Sequence, residues 1–97
     1  MKFSFHPEAV AEFYSAIDYY ESCELGLGYD FSLEVYDGIQ SILRAPTVWP
    51  IMVGDVRRRL VNRFPYGILY AVENDDVFVL AIMHLRRDPD FWKDRRD

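Results

Sequence analysis

The apolar positions change period along the chain. Residues 2–5 alternate, which puts Phe3 and Phe5 on one side of a short extended segment. Then the spacing lengthens. Val10, Phe13, Ile17 and Tyr20 recur at intervals of three, four and three and form one helical face, flanked by Tyr14. His6 stands before Pro7, where helical angles are disfavoured, and Pro7 suits a first helical turn because its missing N–H would be unpaired there in any case. Glu8 and Glu12 lie near the positive end of that helix. Gly26 and Gly28 supply its stop. A second helix is predicted over residues 28–45, with Phe31, Val35, Ile39 and Ile42 as its stripe and Pro46 at its end. Two long helices joined by a short link predict an antiparallel hairpin.

Residues 47–54, which include Trp49-Pro50, have no clear period and read as an irregular crossover. Three strands are predicted after it, over residues 56–63, 66–73 and 77–84. In the last, Phe78, Leu80, Ile82 and His84 share one side, and Val77, Val79, Ala81 and Met83 share the other. Both sides are mostly apolar, so this strand belongs at the centre of a sheet covered on both faces. Asn74-Asp75-Asp76 is a turn of hairpin length. Asp88-Pro89 opens a short terminal helix or turn holding Phe91 and Trp92. The fold class is α+β in the order β-α-α-β-β-β: a single domain over residues 1–97, with a small, mostly antiparallel sheet and an N-terminal helical hairpin on one face.

At 97 residues with 51% hydrophobic and 16% aromatic content, the chain has enough to fill one modest core and does not read as disordered. The longest uncharged run, residues 45–54, contains two prolines and falls far short of the roughly 20 apolar residues of a membrane span. Residues 1–8 do not resemble a secretory signal, and the single cysteine, Cys23, excludes an internal disulfide and a thiolate-rich zinc site. A cytoplasmic protein with no membrane partner is expected, with Cys23 as a small packed residue. The net charge of −5 is uneven: two bases face nine acids through Val56, and nine bases face seven acids from Arg57 onward. The positive clusters are Arg57, Arg58, Arg59 and Arg63, and Arg86, Arg87, Lys93, Arg95 and Arg96. So acidic a chain is a poor general nucleic-acid binder, although a local anion or acidic-peptide site is compatible with these clusters. On a strand Arg57 and Arg59 share a face and Arg58 takes the other, its stem along the core rim. His6 and His84 are distant in sequence and no acid–histidine cluster has metal-ligand spacing, so neither metal nor cofactor is expected. Gly26-Leu27-Gly28 lacks a third glycine and follows a helix, which argues against nucleotide binding.

An ordered set of motifs resembles a known family. His6-Pro7-Glu8-Ala9 opens the first helix; Phe31 and Glu34-Val35 lie in the second, which Pro46 ends. Arg63-Phe64-Pro65-Tyr66-Gly67-Ile68 and Tyr70 follow, and then His84-Leu85-Arg86-Arg87-Asp88-Pro89 with Trp92. The set resembles the RelE/ParE superfamily of type II toxins, also known as plasmid-stabilisation proteins, over most of the chain. The resemblance implies a partner antitoxin whose carboxy-terminal segment wraps the toxin, and oligomers formed through that antitoxin. It also implies one of two activities: RelE-like members cut messenger RNA on the ribosome, whereas ParE-like members poison DNA gyrase.

Chemistry separates the two. A metal-free ribonuclease needs a base for the 2′-hydroxyl, an acid for the leaving oxygen, and cations over the phosphate. In a RelE-like reading the catalytic candidates are Arg63, His84 and Arg86. The lysines that many RelE-like enzymes carry on a strand are absent, and Phe91 and Trp92 stand where those enzymes place a tyrosine. The His84–Pro89 segment followed by Trp92 looks more like ParE. The expected function is therefore a ParE-like gyrase inhibitor, with Arg63, Arg86, Arg87 and Trp92 as partner-binding residues. Tyr14, Tyr19, Tyr20 and Tyr36 exceed what one buried stripe needs and are candidates for an antitoxin groove. A RelE-like nuclease and a non-toxic antitoxin-binding relative are the alternatives.

Overall fold

The computed structural model describes residues 1–96. The short strand β1 (Phe3–Phe5) leads into α1 (Pro7–Cys23), which Pro7 opens as its position predicts. His6 caps the helix: its Nδ1 accepts the Glu8 amide at 3.0 Å, satisfying one of the donors that a helix start leaves unpaired. The helix ends at Glu24, before the two glycines expected to stop it. Gly26 turns the chain at φ 87°, a conformation strained for a side chain. Gly28 has another task. It is buried in the first turn of α2 (Leu27–Arg44), where an added Cβ would lie 2.6 Å from the Ile17 carbonyl oxygen, so its bareness lets the two helices approach. Glu21 closes the junction, its carboxylate accepting the Gly26 and Gly28 amides at 2.9 and 3.0 Å at the positive end of α2. Cys23, expected to be packed, is exposed at the end of α1. Among the described residues no helix is long and apolar enough to cross a membrane.

The remaining chain forms β2 (Ile51–Val53), β3 (Val56–Leu60), β4 (Tyr66–Glu73) and β5 (Asp76–His84), in a five-stranded sheet ordered β1-β5-β4-β3-β2. Only the β1–β5 pair is parallel. The α+β class and the mostly antiparallel sheet are those the sequence predicts. β2 is an addition: residues 51–53 fall inside the expected crossover. Three residues are too few to show a period, and exposed Ile51 and Val53 mark no buried face, so only pairing with β3 defines the strand. β3 stops short of residue 63 because the chain turns through Arg63 at φ 71° before entering β4.

Each sheet face carries its own core. Ile68, Tyr70, Val77, Val79 and Ile82 pack against Phe31, Val35, Ile39 and Ile42 of α2 and against α1. On the opposite face Leu69, Ala71, Leu80, Ala81 and Met83 lie under Phe91 and Trp92 of the terminal segment, which ends in a 3-10 turn, Lys93–Arg95. Strict alternation along β5 fails once. The register passes from Tyr70↔Val79 to Leu69↔Ala81, which makes Leu80 an extra residue, a β-bulge. Leu80 and Ala81 both enter the second core, and the hairpin-facing row resumes at Ile82. His84 therefore shares a face with Val77 and Val79, not with Phe78 and Leu80 as alternation predicts.

Tyr70 is fully buried, and its hydroxyl donates to the Pro46 carbonyl at 2.6 Å. Burial pushes its pKa up to about 12. The unfolded chain releases this proton near pH ~10 while the folded chain keeps it. The associated stability is full below that pH and is lost as pH rises through ~12, by up to about 3 kcal/mol. Denaturant titrations across this alkaline range should show a much larger loss in the parent chain than in Tyr70→Phe, where the smaller contributions of Tyr20 and Tyr66, also raised by burial, remain. A loss retained in full in the variant would place it on another tyrosine.

Candidate partner-binding site

β1 ends at Phe5, and the His6 amide makes the last rung to the Val79 carbonyl at 2.9 Å. Beyond that point the edge of β5 needs other partners for its backbone groups. α1 supplies them. Ala9, Glu12 and Ala16 share a helical face; the two alanines are buried and let the helix approach the strand, and Glu12 reaches across. Glu12 Oε1 accepts the Ile82 amide at 3.1 Å. Arg95 donates to the Leu80 carbonyl at 3.1 Å and grips both Glu12 oxygens, at 2.9 and 2.7 Å. Their side chains are only 5% and 12% exposed. Arg87 adds a bond to Glu12 Oε2 at 3.0 Å. The Phe91 ring lies 3.6 Å from the Arg87 guanidinium and 4.8 Å from that of Arg95. Arg95 Nε is buried without a hydrogen bond, Glu8 Oε2 being 3.7 Å away. The Glu12 hydrogen bonds push the Arg95 pKa further up, so its charge is permanent.

This ion knot underlies an open cleft of about 500 Å³ between α1 and the end of β5. Glu8, Ser15, Tyr19, Tyr66 and His84 also line it. The Tyr66 ring meets His84 edge-on at 5.1 Å, and burial raises its phenol pKa. His84 Nδ1 accepts the Arg86 amide at 3.1 Å, which places the neutral ring's proton on Nε2. Among the described residues no carboxylate hydrogen-bonds to His84, and no group of three or more histidines, cysteines and acids is arranged to hold a metal ion.

The structure divides the residues expected at the site. His84 and Arg87 line the cleft; Arg86, whose amide donates to the His84 ring, is exposed, lies outside the lining and has no ion pair among the described residues. Arg63 lies elsewhere, at the β3–β4 turn, 3.7 and 3.8 Å from Asp30 and Glu34 of α2 and over the Phe64 ring. Trp92, expected to touch a partner, is 4% exposed and fills the second core. The indole is buried under a sheet face, away from the surface role that the family resemblance implies. The late-chain cations are largely committed internally: Arg87 and Arg95 to Glu12, Arg96 to Asp55 and Glu73. Of the surplus tyrosines, Tyr14, Tyr19 and Tyr36 are exposed, whereas Tyr20 packs on Phe31 and Phe64. Glu12 is the central residue that sequence reasoning misses, reading it only as a helix-start acid. Its signal is the pair of small residues, Ala9 and Ala16, on either side of it on one face.

No protein-family model matches the chain, and no curated protein matches its sequence. Among solved structures, a chain of the chromosomal ParDE TA system from P. aeruginosa is similar to it. That chain is 16% identical, with 89% of this chain and 97% of that one covered and a TM-score of 0.75. At such identity the likeness is one of fold. The chain thus has the fold of a ParDE system chain, which is the fold that its RelE/ParE sequence resemblance predicts.

Proposed function

We propose that the chain is the toxin of a type II toxin–antitoxin pair, of the ParE-like kind, that it inhibits DNA gyrase, and that a cognate antitoxin neutralises it. The observation that carries this is the fold likeness to a ParDE chain over 89% of the sequence. The chemistry of the cleft supports gripping over cutting. Among the described residues His84 has no carboxylate to orient it, and Glu12 already pairs with two of the nearby guanidiniums. Among the described residues Arg86, next to the cleft arginine Arg87, has no ion pair and is available to a protein surface, and the acidic net charge suits a protein target better than ribosomal RNA.

One observation favours a ribosome-dependent messenger RNA nuclease as the second reading: the His84 imidazole and the Tyr66 phenol, a base and an acid, share one open cleft. Induced expression in a bacterial host should arrest growth, with relief from a co-expressed antitoxin. Purified chain should block supercoiling by gyrase or trap cleaved DNA, and Arg86→Glu should reduce that effect about tenfold or more. Cleavage of messenger RNA in a translation extract, with gyrase unaffected, overturns the proposal in favour of the second reading.

A further inference from the structure

β2 covers only the first half of β3: Ile51 pairs with Arg57, and the Pro50 carbonyl accepts the Arg58 amide at 3.0 Å. Past that point the outer edge of β3 has no neighbouring strand. The Val61 amide donates to the Tyr66 carbonyl at 2.8 Å, toward β4, so by alternation the Leu60 backbone faces outward. The Arg59 guanidinium takes the Leu60 carbonyl, which leaves the Leu60 N–H open.

A cleft of about 400 Å³ lies at this edge, lined by Trp49, Pro50, Arg58, Arg59, Leu60 and Asn62. None of the six is acidic. The Trp49 indole N–H is buried and has no acceptor. Such an orphan is uncommon. Its ring is braced by Arg59, 5.0 Å above it, and Arg59 is itself tied to Ser41 Oγ at 2.8 Å. Arg58 points its stem over Gly67, where an added Cβ would lie 3.0 Å from Arg58 Cδ. Its guanidinium has no hydrogen bond or ion pair among the described residues. The edge thus gathers an open strand amide and an unpaired guanidinium, with no carboxylate in the lining. Beside them Leu60 is 49% exposed and offers apolar contact.

We infer that this edge is a docking site for an extended acidic segment of a partner protein, separate from the α1–β5 cleft. The segment adds a short strand against Leu60, packs beside the Trp49 ring, and sets an aspartate or glutamate against Arg58. A strand edge discriminates here. Phosphate or a nucleic-acid backbone can take the cations and a lone amide, but it has no strand register to match the edge and makes no apolar contact with Leu60.

The test is a titration of the isotopically labelled full chain, followed by amide and indole resonances, with a short capped peptide alternating glutamate and valine. The lysine–valine counterpart and inorganic phosphate are the comparison probes. The acidic peptide should shift the Leu60 amide and the Trp49 indole, and the basic one should not. Arg58→Glu should weaken binding about tenfold or more, with Arg58→Gln between it and the parent. Equal shifts from phosphate, shifts confined to other surfaces, or unchanged affinity in Arg58→Glu overturn the inference. Toxicity plays no part in this measurement, so its failure and failure of the gyrase assay are separate results.

Discussion

Glu12→Ala is expected to remove about 3–5 kcal/mol of stability, the cost of leaving one member of a buried ion pair uncompensated. The Arg95 guanidinium, 5% exposed, would keep its charge and lose both of the Glu12 oxygens it grips, leaving Glu8 Oε2 at 3.7 Å as its remaining carboxylate contact. The Ile82 amide would lose its acceptor, and Arg87 its ion pair. The damage should spread outward from there, since Glu12 joins α1, the far end of β5 and the terminal segment at one carboxylate. Glu12→Gln keeps an acceptor for Ile82 but loses the charge, and should fall between alanine and the parent. Adding Arg95→Met to Glu12→Ala should recover much of the loss, because the buried charge goes with it. Urea denaturation of the set measures all three. A Glu12→Ala penalty within about 1 kcal/mol of zero would match a solvent-screened surface pair and would overturn the buried knot.

Much of the fold was legible because the helices and the two long strands carry full periods of apolar residues. Phe31, Val35, Ile39 and Ile42 are buried as their spacing predicts, and β4 runs over the residues assigned to it. The split of Arg57 and Arg59 from Arg58 also follows from alternation: Arg57 and Arg59 oppose Tyr70 and Ile68 of the hairpin-side core, whereas Arg58 opposes Leu69 of the other. What escaped the sequence depends on partners distant in the chain. β2 exists only because β3 pairs with it. The bulge at Leu80 leaves no mark in an apolar run that is buried on both faces, yet it decides where His84 points. Glu12 and Arg95 are 83 positions apart, and nothing local shows that they meet. The arginines misled for the same reason. A cationic cluster near a chain end reads as a binding surface until the acids that neutralise it, Glu12, Asp55 and Glu73, are brought in from three other parts of the chain.

Trp92→Ala is expected to cost about 3–5 kcal/mol, the range for truncating a large buried aromatic. For a domain of this size that corresponds to a fall in melting temperature on the order of 15–30 °C. The side chain roofs a core made by Leu69, Ala71, Leu80, Ala81 and Met83, which the terminal segment covers. Arg95 and Arg96 pin the same segment, to Glu12 and to Asp55 with Glu73, so it should remain tethered after Trp92 is cut back while the apolar face beneath it opens to water. Trp92→Phe separates packing from hydrogen bonding. The Trp92 indole N–H is buried without an acceptor, so phenylalanine gives up volume but also removes an unpaired donor, and the net loss should be well below that of alanine. If Trp92 were instead a partner contact, as the ParE-like resemblance of its segment implies, Trp92→Ala would melt like the parent and fail only in binding. Thermal unfolding of the two variants in the absence of any partner decides between these outcomes.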